Sequence, residues 1–146
     1  WMIAEGYRVS SGWNLLSIPL ETANKLKTEI FPTAVSSAYK YISVYEAKDT
    51  LECGVGYWLK FNSDTLITVT GTPMETDTIV LQPGWNLIGT LTDSILVSSV
   101  ISEPEGILSS NFYGYDHGYI TSYTLKPMRG YWIKANSPGK LILTKP

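Results

Sequence analysis

Apolar and polar residues along this chain change over in short runs rather than with a sustained helical period. Tyr7-Arg8-Val9, Leu66-Ile67-Thr68-Val69, Thr78-Ile79-Val80-Leu81 and Lys140-Leu141-Ile142-Leu143 are strand-sized segments separated by turn-forming residues. Short strands spaced roughly 8–12 residues apart argue for a β-rich sandwich or barrel-like architecture. A helix is predicted where Leu26 and Ile30 stand four apart on one face, with Thr22 capping Ala23 to Ile30 and Pro32 ending it. A second is predicted where Asp93 or Ser94 caps a stretch carrying Val97, Val100 and Ile101, closed near Pro104 and Gly106. Pro83-Gly84 marks a tight turn, and Asp116-His117-Gly118 between Tyr115 and Tyr119 reads as a hairpin turn.

These elements occur twice. Gly12-Trp13-Asn14-Leu15 returns 72 residues later as Gly84-Trp85-Asn86-Leu87, and Gly56-Tyr57-Trp58-Leu59-Lys60 returns 74 residues later as Gly130-Tyr131-Trp132-Ile133-Lys134. Between these anchors Tyr39, Tyr41 and Tyr45 align with Tyr113, Tyr115 and Tyr119. The pattern predicts two tandem homologous β-rich units, 1–74 and 75–146, each with one short helix, packed as a pseudo-symmetric body. A sheet unit of this size has an apolar face that it cannot cover alone. The link between the units is expected at Thr72-Pro73-Met74-Glu75-Thr76-Asp77.

Composition narrows the class. At 146 residues with 44% hydrophobic and 16% charged positions, the chain can build a core and does not read as disordered. Eleven basic and thirteen acidic residues leave a formal charge of −2, with no basic stripe, so nucleic acid is not expected as a partner. No apolar run is long enough for a membrane span. The single cysteine, Cys53, excludes an internal disulfide and reads as a small half-buried apolar residue.

The recurring Gly-Trp-Asn-Leu, the Tyr-x-Tyr hairpin and the Gly-Tyr-Trp-(Leu/Ile)-Lys segment resemble a β-rich module of large secreted bacterial surface proteins, peptidases and polysaccharide-degrading enzymes. The resemblance spans nearly the whole chain. It implies an extracellular or cell-surface setting, as part of a longer protein with neighbouring domains, and brings no shared ligand or catalytic residue with it. The first copy departs from the second in two places: its 42–44 turn has no glycine, and Cys53-Gly54 stands where the second has Pro127-Met128.

An inventory of reactive groups argues against an enzyme and against a cofactor. His117 is the only histidine, so a nucleophile with a positioned base is hard to assemble, and one His with one Cys falls short of a zinc site. Glu103 and Glu105 flank Pro104 in a loop with no apolar setting, unlike a glycosidase carboxylate pair. The aromatics remain: five Trp, ten Tyr and three Phe form 12% of the chain. Residues kept in both copies, including Trp13, Trp58, Trp85 and Trp132, are expected in the core. Alternation along the strand puts Tyr57 and Tyr131 on the opposite face from Trp58 and Trp132, outward or toward the other sheet. Trp1, Phe31, Phe61 and Tyr123 occur once and escape that argument. The candidate ligand-binding residues are Tyr115, His117, Tyr119 and Tyr123, around the second hairpin. The expected function is a non-catalytic accessory module that binds polysaccharide or a cell-surface component weakly, through stacking that salt affects little. The alternative is a structural spacer or anchor, or a protein-interaction module without a small ligand.

Overall fold

A computed structural model describes residues 1–146. The first half contributes strands β1 (Ile3–Val9), β2 (Gly12–Leu16), β3 (Leu20–Glu21), a helical turn α1 (Lys27–Ile30), β4 (Ala38–Ile42), β5 (Val44–Lys48), β6 (Tyr57–Phe61) and β7 (Thr65–Pro73). The second contributes β8 (Thr76–Leu81), β9 (Gly84–Ile88), β10 (Ile95–Leu96), a 3-10 turn at Val97–Ser99, β11 (Ile101–Glu103), β12 (Phe112–Tyr115), β13 (Tyr119–Ser122), β14 (Thr124–Leu125), β15 (Tyr131–Ala135) and β16 (Gly139–Thr144). The fold is mainly β, built from antiparallel sheets, and none closes into a barrel.

The two four-stranded sheets have matching orders, β2-β6-β4-β5 and β9-β15-β12-β13. Their registers match too: Tyr39 pairs with Trp58 as Tyr113 pairs with Trp132, and Trp13 pairs with Lys60 as Trp85 pairs with Lys134. The three-stranded sheets, β1-β7-β3 and β8-β16-β11, share the pairing of first with last strand but differ in the third member.

Local chemistry explains why the repeated motifs look as they do. Gly12 and Gly84 hold φ of 92° and 93°, a left-handed region that a side chain disfavours. The asparagine two residues on locks each turn. Asn14 accepts the Ser10 N–H and donates to the carbonyls of Ser10 and Gly12, and Asn86 does the same with Gln82 and Gly84. Tyr57 and Tyr131 are buried at 1% and 4% exposure, so they point into the cores rather than outward. Their hydroxyls accept the N–H groups of Glu52 and Lys126, each at 2.9 Å, which satisfies a polar atom at the end of an otherwise apolar ring. Burial pushes the Tyr57 phenol up to about 12.

Several expectations are corrected. The helix at Ala23–Ile30 shrinks to Lys27–Ile30, entered from an extended Leu26 with no side-chain cap. Thr22 instead donates its hydroxyl to the Asn24 carbonyl at 2.8 Å, which favours a turn before a helix begins. The second helix reduces to the 3-10 turn at Val97–Ser99. The expected linker is mostly strand, since β7 runs through Pro73 and β8 starts at Thr76. Met74 between them is buried, and its N–H donates to Thr92 Oγ1, which donates onward to the Pro19 carbonyl.

Two apolar cores form, one dominated by each half. Each fully buried large side chain contributes roughly 1.5–3 kcal/mol. The cores are not private to their halves: Met128, fully buried, belongs to the first core, and Cys53 packs against both. A third cluster of Leu15, Leu87 and Trp132, flanked by Tyr41, Trp58, Tyr113 and Tyr115, lies between the four-stranded sheets. Backbone bridges cross the same junction in matching pairs, Leu16 with Arg129 and Ile88 with Val55. Gly130 N–H donates to the Leu15 carbonyl at 2.9 Å, and Gly56 N–H to the Leu87 carbonyl at 3.2 Å. A Cβ at Gly56 would lie 2.9 Å from the Ile88 carbonyl oxygen, so the glycine of Gly-Tyr-Trp permits this approach.

Candidate functional site

The junction between the four-stranded sheets carries the aromatics. Trp58 of β6 stacks edge-on against Tyr115 of β12, with centroids 4.9 Å apart, and Trp132 of β15 meets Tyr41 of β4 at 5.1 Å. Trp13 with Tyr39 and Trp85 with Tyr113 form tilted pairs at 6.2 and 6.1 Å, both at 56°. On the hairpins, Tyr41 and Tyr45 lie 5.2 Å apart and Tyr115 and Tyr119 lie 5.5 Å apart. These six pairs correspond across the 72- and 74-residue offsets, while Trp58–Tyr119 and Trp85–Trp132, both at 6.4 Å, occur once.

Two open clefts result. One, of about 510 Å³, is lined by Tyr41, Tyr45, Trp85, Tyr113, Tyr119 and Trp132. The other, also about 510 Å³, is lined by Trp13, Tyr39, Tyr45, Trp58, Tyr115 and Tyr119. Their linings are position-for-position counterparts, and Tyr45 and Tyr119 serve both. No other side chain lines either cleft. Trp85 and Trp13 remain 41% and 43% exposed at the two clefts, which corrects the expectation that every repeated tryptophan is core. Trp132, 8% exposed, does belong to the interior, while Trp58 is half-buried.

The polar equipment of the clefts is spare. It consists of tyrosine hydroxyls, indole N–H groups and, near one cleft, the Lys134 ammonium 6.0 Å from the Trp85 ring centroid. Burial, joined by the nearby Tyr45 and Tyr115 hydroxyls, holds the Tyr119 phenol above its ordinary range. The Trp132 indole N–H acts the other way, yet Nε1 is buried without an acceptor in hydrogen-bonding geometry.

The four predicted ligand residues divide between two surfaces. Tyr115 and Tyr119 line the aromatic clefts. His117 and Tyr123 instead line a groove of about 570 Å³ on another side of the hairpin, which Tyr115 and Trp13 also border. Tyr119 and Tyr123 are 59% and 71% exposed. His117 sits at the hairpin tip with φ 57°, the left-handed conformation expected of the turn, 3.8 Å from Asp116. Ser43 takes φ 59° at the corresponding place in the first hairpin without a glycine. Of the aromatics found in one half only, Phe31 and Phe61 are fully buried and Trp1 is exposed.

Sequence reasoning missed Trp13, Trp58, Trp85, Trp132, Tyr39, Tyr41, Tyr45 and Tyr113 as lining residues. Their recurrence in register is visible in the sequence, but for the four tryptophans it points equally to the core.

Other chemistry is sparse. No three His, Cys, Asp or Glu side chains come together to hold a metal ion. Cys53 donates its thiol to Glu21 Oε2 at 3.0 Å, and burial together with that carboxylate pushes the thiol up to about 12, far from a reactive thiolate. No helix is long and apolar enough to cross a membrane. No protein-family model, curated protein or solved structure matches the chain.

Proposed function

We propose that this chain is a non-catalytic binding module, an accessory part of a larger secreted protein, and that its paired aromatic clefts take carbohydrate. The observation that carries the reading is two clefts of about 510 Å³, each lined by six aromatic side chains and nothing else. Burying this much aromatic surface would be the easier course for a purely structural joint, because aromatic rings supply much of the area that a small β core can bury. Leaving Trp13 and Trp85 at 43% and 41% exposure forgoes part of that gain on each side of the molecule. Flat ring faces suit the C–H-rich faces of sugar rings, and tyrosine hydroxyls and indole N–H groups offer hydrogen bonds at the edges. The resemblance to modules of large secreted bacterial surface proteins, peptidases and polysaccharide-degrading enzymes supports the secreted, accessory part of the reading. So does the correspondence of the two linings, which fits two homologous units packed about a pseudo-two-fold axis.

Titration of neutral oligosaccharides from cellulose, xylan, mannan and chitin, followed by tryptophan fluorescence and calorimetry, tests this. A responding sugar should occupy two sites per chain. Trp85→Ala and Trp13→Ala should each leave one site, with the fold intact. Silence across all four polysaccharide classes and with an acidic oligosaccharide as well would leave the alternative, a spacer or protein-interaction module whose aromatics serve only to join the two sheets.

A further inference from the structure

Beside the second aromatic cleft lies the groove of about 570 Å³ that holds His117 and Tyr123. Arg8 from β1 and Lys126 and Arg129 from the loop before β15 also line it. None of these three cations has a carboxylate within 4 Å; every ion pair in the molecule involves other basic residues. The one carboxylate in the lining is Asp116. Three cations against one anion therefore gather on a chain whose formal charge is −2. Arg129 is the inner member: it is half-buried, and its guanidinium donates to the Arg8 carbonyl at 2.6 Å. Burial lowers the pKa of that guanidinium from its ordinary value, opposed by Tyr131 and Asp116.

The other half has the corresponding groove, about 350 Å³, lined by Lys40, Tyr41, Glu52, Val55, Val80 and Trp85 among others. There the offset places Val80 where Arg8 stands, Glu52 where Lys126 stands and Val55 where Arg129 stands. Its lysine is already matched, with Lys40 Nζ 3.8 Å from Glu52. The first-half groove forms with no cation at these positions; Arg129 also ties the halves through the Arg8 carbonyl, whereas Arg8 and Lys126 are exposed and their charges make no ion pair within the chain. Trp13 and Tyr115 border both the basic groove and the adjacent aromatic cleft, which makes one continuous surface of ring faces followed by unpaired positive charge.

We infer that this surface selects an acidic polysaccharide, one whose sugar rings carry carboxylates, with rings on Trp13 and Tyr115 and a carboxylate in the groove among Arg8, Lys126 and Arg129. The inference rests on the carbohydrate reading of the aromatic clefts. Arginine matches a carboxylate with paired N–H donors, and charge-assisted bonds of this kind are the stronger ones. A sugar carboxylate would supply the close ion pair that none of the three cations makes within the chain. Three cations serve an occasional carboxylate on a sugar chain better than the phosphate of every nucleotide.

Oligogalacturonate and cellohexaose of equal length, titrated into the full chain with tryptophan fluorescence as readout, separate the possibilities. Both should respond, the acidic chain binding more tightly, and only its affinity should fall as salt rises, because exposed charges are screened over about 10 Å at 0.1 M salt. Arg8→Gln combined with Lys126→Gln, two exposed side chains outside the core, should weaken the acidic ligand about tenfold or more, the scale of a lost charge-assisted bond. Cellohexaose should bind that variant as it binds the parent. Glu52→Gln in the opposite groove should change neither affinity. Binding of the acidic chain alone would also uphold the inference. Equal, salt-independent affinities, or an acidic preference that survives the double variant, would overturn it and leave the neutral-sugar reading standing. Tighter binding of an oligothymidylate would reassign the groove to nucleic acid, and silence with both sugars would overturn this inference and the carbohydrate reading together.

Discussion

At the scale of single residues, Asp77 carries a carboxyl that the fold leaves only half satisfied. Its Oδ1 accepts the Thr78 N–H at 2.8 Å, but Oδ2 is buried without a partner, close to Gly54. Burial raises its pKa, opposed only in part by the Thr78 N–H. For a carboxyl raised in the folded state, stability is fully present below the unfolded pKa and is lost as pH rises through the folded one. Glu21 runs the other way: the Cys53 thiol, then Lys25, lowers its pKa, so its contribution is present above the unfolded pKa and lost as pH falls. Asp77→Asn keeps the bond from Thr78 and removes the buried charge. Its melting temperature should exceed that of the parent at pH 7, and the gap should close as pH drops below the ordinary carboxylate range. The difference between the two proteins then reports the Asp77 charge, including its repulsion by Glu21. A variant less stable than the parent at pH 7 would mean that the ionised carboxylate has a partner not seen here.

At the scale of elements, the strands were the legible part and the helices were not. Turn residues at Gly12, Gly84 and Asp116–Gly118, together with the recurring Tyr and Trp positions, mark strands whose pairings recur at the same offsets. The helix at Ala23–Ile30 failed because two apolar residues four apart make too weak a face to outweigh Thr22, which bonds the Asn24 carbonyl. The candidate site was half legible. The second hairpin does carry lining residues, but which strand face meets the other sheet is a tertiary fact that alternation alone does not fix. Recurrence alone does not mark core, because residues lining a feature that occurs twice recur just as faithfully. Trp132 and Trp85 separate these meanings, since they sit on neighbouring strands of one sheet and line one cleft. Trp132→Ala, at 8% exposure, should cost roughly 3–5 kcal/mol in chemical denaturation, as for other large core truncations. Trp85→Ala, at 41% exposure, should cost about 1 kcal/mol, nearer the cost of an ordinary substitution, and act on binding instead. Similar losses from the two would place both tryptophans in the same structural role.

At the scale of the molecule, the question is whether the halves hold themselves together or depend on each other. A half standing alone would expose Leu15, Leu16 and Trp58, or Leu87, Ile88 and Trp132, all of which now lie at or beside the junction. The first core would also lose Met128, which is fully buried in it at φ 65°, an uncommon conformation for a residue with a long side chain. In return, Val55 of the first half bridges Ile88 of the second, and Cys53 packs against the second core. The link adds to this coupling, because Met74 is buried and tied through Thr92 to Pro19. With core residues lent in both directions, neither half can unfold without uncovering apolar surface on the other. Calorimetry of the full chain should therefore show one transition whose van't Hoff and calorimetric enthalpies agree, as for a single cooperative unit. Met128→Ala, which empties a site in the first core from the second half, should lower that one transition rather than split it, at a cost of about 2–5 kcal/mol. Two resolved transitions in the parent protein would show that the aromatic junction is a contact between independently stable halves, and the clefts it encloses would then open and close with that contact.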